Sequence, residues 1–317
     1  MGRIKPMGPI PFGRNPVKAL KQERSARVGW LDSLPAYLLI APAFLLFGFF
    51  FLRPLAQLGY LSLVDWEGLG PKIFVGLENY RELVVDSRFW LAFQHNLMWM
   101  VGAIFVPTVI GLFLALVLVR SSLHGRLIFR TVYFLPQVLS SVVVSIIWRW
   151  IYNPNYGAIN TILSTVGLDH LARGWLGDKL TALPALFIAW GWIHYGFCMV
   201  IFIAALQAID ETYYDAAKVD GANLLQQLRY ITLPFIRRPL GTVILITIIS
   251  AFQVFDLVFI ITRGGPARAT LVLSVFMYDS AFRYAKVGYG AAIGLTLGVV
   301  IFLVSLVYLR IRERLEA

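Results

Sequence analysis

The chain has 317 residues, of which 59% are hydrophobic and 14% charged, and its mean hydropathy is +0.73. Soluble domains average about 25% charged residues, so the composition excludes an ordinary soluble domain and indicates a polytopic membrane protein. The net charge of +11 does not indicate nucleic-acid binding, because the basic residues cluster beside apolar segments. The single cysteine, Cys198, can form neither an internal disulfide nor, alone, a metal site.

Apolar segments long enough to cross a membrane, which takes about 20 residues, recur along the chain. They predict an all-α fold with six transmembrane helices, at residues 36–52, within 91–119, near 131–148, within 180–208, at 240–262 and at 289–309. The predicted organisation is a basic tail over residues 1–33, one membrane domain over residues 34–310, and a second tail over residues 311–317. A loop at 209–239 separates the fourth and fifth spans.

The placement of lysine and arginine predicts the orientation of the spans. The N-terminal tail is basic, and the C-terminal end holds Arg310, Arg312 and Arg314. The connection between the second and third spans carries three arginines and no acid: Arg120, Arg126 and Arg130. These segments and the 209–239 loop fall on one side of a six-span arrangement. The positive-inside rule makes that side cytoplasmic, so both termini are expected in the cytoplasm.

The 209–239 loop contains a short charged helix. Asp210 can accept hydrogen bonds from the free amides at its start, and Glu211 complements its dipole. Spacings of three and four residues put four side chains on one face, where two alanines leave a shallow surface: Tyr213, Ala216, Ala217 and Asp220. Gly221 permits a backbone angle that is costly for other residues. The residues alone leave open a solvated connector or a docking surface.

This loop resembles the cytoplasmic loop in the permease subunits of ATP-binding-cassette (ABC) importers. That family has an acid and two alanines, a glycine four residues later, and Ile-x-Leu-Pro ten residues beyond the glycine. Asp215-Ala216-Ala217, Gly221 and Ile231-Thr232-Leu233-Pro234 fill those places without a gap, with Asp where Glu is usual. The resemblance implies that a set of loop residues couples to an ATPase: Glu211, Asp215, Ala216, Ala217, Asp220, Gly221, Leu233 and Pro234.

The outward loops, among them residues 262–266, are similar to those of the carbohydrate branch, the maltose and glycerol-phosphate type. The resemblance then covers nearly all of residues 34–310 and implies the type I importer permease fold. It also implies alternating-access import of a sugar or related polyol across the plasma (inner) membrane of a prokaryote. The implied partners are a second, related permease subunit, two ATP-binding cassette subunits and an extracytoplasmic solute-binding protein.

Catalysis by the chain itself is not expected. It has no Gly-x4-Gly-Lys-Ser/Thr phosphate loop, no cluster with metal-ligand spacing and no activated nucleophile. We therefore expect a permease subunit that is not an enzyme and has no cofactor of its own, with ATP and magnesium held by the partner ATPase.

Polar and aromatic residues within spans are candidates for a solute path. In the fourth span a helical stripe is formed by Trp190, Ile193, His194 and Phe197. In ungapped register with the Asp215 motif, the resemblance implies that these positions line the sugar site. The maltose-type permease has a smaller polar residue at the place of Trp190 and a glycine at that of His194. Helix packing is the alternative interpretation of the stripe.

In the fifth span, register from Gly264-Gly265-Pro266 implies that three residues line the path: Ser250, Ala251 and Val254. Because Ala251 and Val254 replace family amides, the polar contacts could shift to Gln253 and Asp256. A structural or gating role is the alternative for Asp256. Asp256 is also the one candidate for a coupling ion, so an ion-coupled secondary transporter, or a membrane enzyme, is the alternative function.

Overall fold

The computed structural model describes residues 34–120 and 124–316, and the predicted basic tail over residues 1–33 lies outside them. The chain divides into two compact units between Gln57 and Leu58. Helix α1 (Leu34–Phe47) leads through a π-helical turn (Gly48–Leu52) into α2 (Arg53–Leu61), and the division between the units falls within α2. The apolar helix predicted to end near Leu52 therefore continues to Leu61, with Pro54 in the first turn of α2, where proline is tolerated.

The second unit is helical apart from one small hairpin, in which β1 (Val64–Asp65) pairs antiparallel with β2 (Ile73–Phe74). Its helices are α3 (Glu78–Val85), α4 (Ser87–Arg120), α5 (Arg126–Val138), α6 (Ser141–Ile151), α7 (Ala158–Thr165), α8 (Ala182–Gln207), α9 (Glu211–Val219), α10 (Leu224–Gln227), α11 (Leu233–Phe252), α12 (Asp256–Ile261), α13 (Leu273–Tyr278) and α14 (Val287–Glu316). Short 3₁₀ and π segments lie at Asp169–Leu171, Leu228–Thr232 and Asp279–Arg283.

Five helical runs among the described residues are long and apolar enough to cross a membrane, and a bent pair brings the number to six. The five are Tyr37–Leu61, Ser87–Arg120, Ala182–Gln207, Leu224–Ile261 and Val287–Arg314. The all-α, six-span prediction is confirmed at this level. The last helix also continues beyond residue 310, through most of the segment assigned to a tail.

The third span is not one straight helix, which corrects the prediction of a single segment near 131–148. Helices α5 and α6 meet at an angle of 98°. Pro136 lies in the last turn of α5, Leu139 is extended, and the Ser140 hydroxyl accepts a hydrogen bond from the Val142 amide at the start of α6. A proline followed by an N-cap ends one helix and begins another.

The fifth span also departs from the sequence prediction. It was predicted at 240–262, yet Pro234 lies in the first turn of α11, within a continuous helical run that begins at Leu224. The same run is interrupted near its other end by residues 253–255, after which α12 begins at Asp256. A π-helical turn at Leu228–Thr232 precedes Pro234, and local adjustments of this kind let a membrane helix accommodate a proline.

The core of the second unit is built on close packing of α4 against α8. Gly111 on α4 approaches α8 so nearly that a Cβ added to it would lie 2.6 Å from the Cβ of Cys198. Large, fully buried side chains lie in two clusters: Phe202, Met199 and Ile236 are in the one that contains Cys198, and Trp99, Leu186 and Phe252 are in the other. The packing sets α8 between α4, α5 and α11, and so fixes which residues of the fourth span face the interior.

Candidate coupling helix and solute path

Helix α9 begins with the predicted cap. The Asp210 carboxylate accepts hydrogen bonds from the amide and the hydroxyl of Thr212, each at 2.9 Å. These two bonds favour the charged carboxylate and hold the pKa of Asp210 below its usual value of 3.8. The predicted N-cap is therefore confirmed, and it satisfies amides that would otherwise lack partners at the start of the helix.

One side of α9 is attached to the rest of the unit by aromatic side chains. The ring of Tyr213 lies 4.9 Å from that of Phe235, and the Tyr214 hydroxyl lies 3.1 Å from the hydroxyl of Thr232. The guanidinium of Arg120, at the end of α4, lies 3.9 Å from the centroid of the Tyr214 ring. The helix is thus held against the start of α11 and the end of α4.

Away from these contacts, the surface of α9 is open. Ala216 is exposed and Ala217 half-buried, and no residue of this helix is buried. Asp215 pairs with Lys218 at 2.8 Å in an exposed ion pair. Gly221 has a φ of +77°, and a Cβ added to it would meet no atom within 4 Å. Ala216 and Gly221 are therefore accessible in this chain, and Ala217 is partly so.

The remaining predicted coupling residues lie close to this surface. Glu211 occupies the first turn of α9, and Asp220 follows its last turn and is exposed. Leu233 is half-buried and Pro234 exposed at the start of α11. The adjoining helix α10 has a capping box that the prediction missed: Asn223 accepts from the Gln226 amide at 2.9 Å, and Gln226 accepts from the Asn223 amide at 2.7 Å. The Asn-x-x-Gln pattern would have revealed it.

The structure places the fourth-span stripe partly inside the bundle. Trp190 and His194 are buried, at 8% and 7% exposure, and their rings stack at 4.6 Å. Nε2 of His194 lies 2.9 Å from the hydroxyl oxygen of Thr247 on α11. Ile193 and Phe197 are half-buried. Within one chain, Trp190 and His194 therefore pack against neighbouring helices, and Ile193 and Phe197 retain exposed surface.

The fifth-span candidates surround the break between α11 and α12. Ala251 and Val254 are buried and Ser250 is half-buried, whereas Gln253 and Asp256 are exposed. The structure thus separates the candidates into packing positions and two polar side chains with access to the surface. Those two are the residues to which the sequence assigned the polar contacts.

A polar contact joins the two interrupted spans. The hydroxyl of Ser141, in the first turn of α6, donates a hydrogen bond to the Asp256 carboxylate, in the first turn of α12. Helices α6 and α12 also pack against each other. A carboxylate at a helix start is stabilised by the positive end of the dipole, so both helix starts favour this charge.

Asn96 on α4 is a residue that the sequence prediction missed. It is fully buried, and its amide nitrogen lies 3.4 Å and 3.5 Å from the carbonyls of Ala251 and Phe252. Its carbonyl accepts from the Leu273 amide at 2.9 Å. The two carbonyls belong to the last turn of α11, where the break removes helical partners. A polar residue inside an apolar span was the available signal.

Comparison with known proteins gives consistent matches. A family model described as "binding-protein-dependent transport system inner membrane component" matches residues 107–317. The probable ABC transporter permease YurN of Bacillus subtilis is 37% identical over 86% of this chain and 94% of its own length. The diacetylchitobiose uptake system permease NgcF of Streptomyces coelicolor is 33% identical over 80% of this chain and 75% of its own.

A solved structure shares the fold. In the crystal structure of a bacterial alginate ABC transporter in complex with an alginate pentasaccharide-bound periplasmic protein, one chain superposes with a TM-score of 0.80. The two sequences are 23% identical, and the match covers 91% of this chain and 98% of that one. The interrupted helices and the α9 loop described above thus belong to a fold known from ABC importers.

Proposed function

Because the chain belongs to the family of binding-protein-dependent transport system inner membrane components, we propose that it is the permease subunit of an ATP-driven importer for a sugar or related polyol. Relatives named for diacetylchitobiose and alginate transport support the solute class. The matches to ABC transporter permeases favour the importer over an ion-coupled carrier or a membrane enzyme.

The observation that carries the proposal is the open face of α9. This helix is capped and held by its tyrosines, Ala216 is exposed, and among the described residues no atom lies within 4 Å of a Cβ added to Gly221. A small-residue surface on a firmly held helix lets a partner approach the backbone. We assign this surface to an ATP-binding cassette subunit, which supplies the ATP and magnesium that this chain has no loop to bind.

The remaining parts of the transporter follow from that assignment. A second, related permease subunit completes the path, two ATP-binding cassette subunits drive it, and an extracytoplasmic binding protein delivers the solute. The proposed path residues with exposed surface are Ile193, Phe197, Gln253 and Asp256. Trp190 and His194 support them from within the bundle. Closure of the ATPase dimer would move α9 and, through the helices joined to it, rock the spans between two access states.

Two substitutions at glycine test the docking face. Gly221→Asp introduces a side chain that the chain itself can accommodate, because nothing lies within 4 Å and Asp tolerates positive φ. Gly167 has a φ of +76° and equally open surroundings in the loop between α7 and α8, so Gly167→Asp is the matched control. We expect Gly221→Asp to abolish solute-stimulated ATP hydrolysis and import while the permease still inserts, and Gly167→Asp to retain both.

Charge at Asp215 provides a second comparison. Asp215→Glu keeps the charge and should be tolerated, whereas Asp215→Lys should weaken copurification with the ATPase. If Gly221→Asp copurifies with its ATPase and imports at the normal rate, α9 is a connector and the proposal fails.

Thiol labelling tests the predicted membrane orientation of the chain. In a Cys198→Ala background, a cysteine at Asn155 should react with an impermeant thiol reagent in intact cells, and one at Ala317 should not.

A further inference from the structure

A cavity of about 690 Å³ lies between α9 and the ends of the neighbouring helices. The end of α4, the start of α5, the end of α8 and the inner side of α9 form its walls. Its floor consists of buried apolar side chains: Leu118, Ile203, Leu206 and Ile209. Of the lining residues, Glu211 and Asp215 belong to the predicted coupling set, and the proposed function assigns no ligand to the space itself.

The charged side chains that line the cavity are mostly basic. Four cationic side chains come from three helices, Arg120, Arg126, Arg130 and Lys218, and the acids that line it are Glu211 and Asp215. Asp215 is already paired with Lys218 at 2.8 Å. Arg126 and Arg130 are four residues apart on α5 and therefore lie on the same face of that helix. The excess of positive charge favours an anionic ligand.

Apolar surface continues from the cavity outward. Leu127 on α5 and Leu224 on α10 line the cavity, and each is 75% exposed. Ile128, beside Leu127, is 68% exposed. A small soluble anion needs no such surface. A phospholipid does, because its phosphate lies beside the cationic groups while its acyl chains cover the apolar side chains.

We propose that this cavity binds the phosphate headgroup of an anionic phospholipid. Helix α5 begins at the arginine-rich, predicted cytoplasmic end of the spans. Arginines next to a membrane surface attract anionic lipids there. Because the cavity is walled by Tyr214, Asp215 and Lys218 of α9, a bound headgroup bridges the coupling helix to α4 and α5. Binding does not depend on the proposed function. The expected consequence of lipid binding is tighter coupling of ATP hydrolysis to transport in anionic membranes, and this consequence rests on the proposed function.

The test measures lipid retention directly. The purified complex is reconstituted in nanodiscs containing equal parts of phosphatidylcholine and phosphatidylglycerol, extracted in mild detergent, and examined by native mass spectrometry. The wild type should retain phosphatidylglycerol in preference to phosphatidylcholine. The Arg126→Gln/Arg130→Gln variant should lose about five-fold of that preference for each arginine removed. Thermal melting checks that the variant is folded.

The matched control is Arg229→Gln/Arg237→Gln, which removes two exposed arginines near the same end of the bundle but outside the cavity. It should retain the wild-type preference. If the cavity variant retains phosphatidylglycerol as the control does, the proposal is overturned. If inorganic phosphate displaces the retained lipid at equimolar concentration, the site is one for a soluble anion and the lipid assignment is wrong.

Failure of the coupling proposal would leave a different pattern. If Gly221→Asp imports normally while the cavity variant loses its lipid preference, the headgroup site stands and the docking assignment for α9 does not. If Gly221→Asp abolishes coupling and the cavity variant keeps its lipid, the docking assignment stands and the headgroup site does not.

Discussion

Replacing Asn96 by leucine tests whether one buried amide holds the interrupted fifth span. Leucine has a similar size, so the substitution removes hydrogen bonds with little change in volume. The contact most clearly lost is the one from the Leu273 amide, at 2.9 Å, and the weaker contacts to Ala251 and Phe252 are lost with it. All of these groups lie where water cannot replace the missing partner.

The magnitude follows from the number of groups left without partners. An unsatisfied buried amide costs about 1–3 kcal/mol. The two carbonyl contacts at 3.4 Å and 3.5 Å are long and add little. Polar contacts between membrane helices average about 0.6 kcal/mol, with a maximum near 1.7 kcal/mol. We therefore expect Asn96→Leu to lower stability by about 1–3 kcal/mol, with the Leu273 amide as the main source.

The measurement is the thermal melting of the purified complex in detergent, beside uptake in proteoliposomes. Gln94→Leu is the matched control, because Gln94 is an exposed amide two residues away on the same helix. Asn96→Leu should melt at a clearly lower temperature and lose uptake, whereas Gln94→Leu should match the wild type in uptake. Equal melting of the two variants would refute the idea that Asn96 organises the break.

Three further predictions concern packing, charge and the path. A Cβ added to Gly290 would lie 2.7 Å from the Cβ of Ala281, whereas one added to Gly298 would meet no atom within 4 Å. Gly290→Ala should therefore lower the melting temperature by the equivalent of about 1–3 kcal/mol, and Gly298→Ala should not. Equal melting temperatures of the two variants would contradict this packing. Burial raises the pKa of Asp86, but hydrogen bonds from Arg88 and Tyr289 outweigh it and leave the pKa below 3.8. Its contribution is therefore present at neutral pH and lost as the pH falls through that lowered value, so wild-type and Asp86→Asn melting curves should differ at about pH 5–8 and converge only in strong acid. Phe197→Ala should lower uptake with little change in melting, whereas Trp190→Ala should also cost about 3–5 kcal/mol of stability; normal uptake by Phe197→Ala would remove that residue from the path.

Several features of this protein were determined locally, and the sequence predicted them correctly. Apolar length predicted the spans, because a bilayer requires about 20 apolar residues whatever the neighbouring helices are. The Asp210 cap and the turn at Gly221 depend on side chains and backbone angles within a few residues of each other. Such features do not depend on the rest of the fold.

The breaks within spans were harder to predict. Hydropathy depends on the composition of a segment and not on the direction of its helix axis. The 98° bend between α5 and α6 could therefore not be distinguished from a straight helix. The Pro136 and Ser140 signals were present, but membrane helices tolerate proline when neighbours satisfy the freed backbone groups. Whether such neighbours exist is a property of the packed bundle.

The candidate path shows most clearly what the tertiary structure decided. Helical spacing placed Trp190, His194 and Phe197 on one stripe, and the structure then separated them by burial. Asn96 bonds to residues 155 and 177 positions away, and Ser141 to one 115 positions away. Periodicity establishes which residues share a face of a helix. Only the packing of helices distant in sequence determines what that face meets, because contacts across such separations leave no pattern in the local sequence.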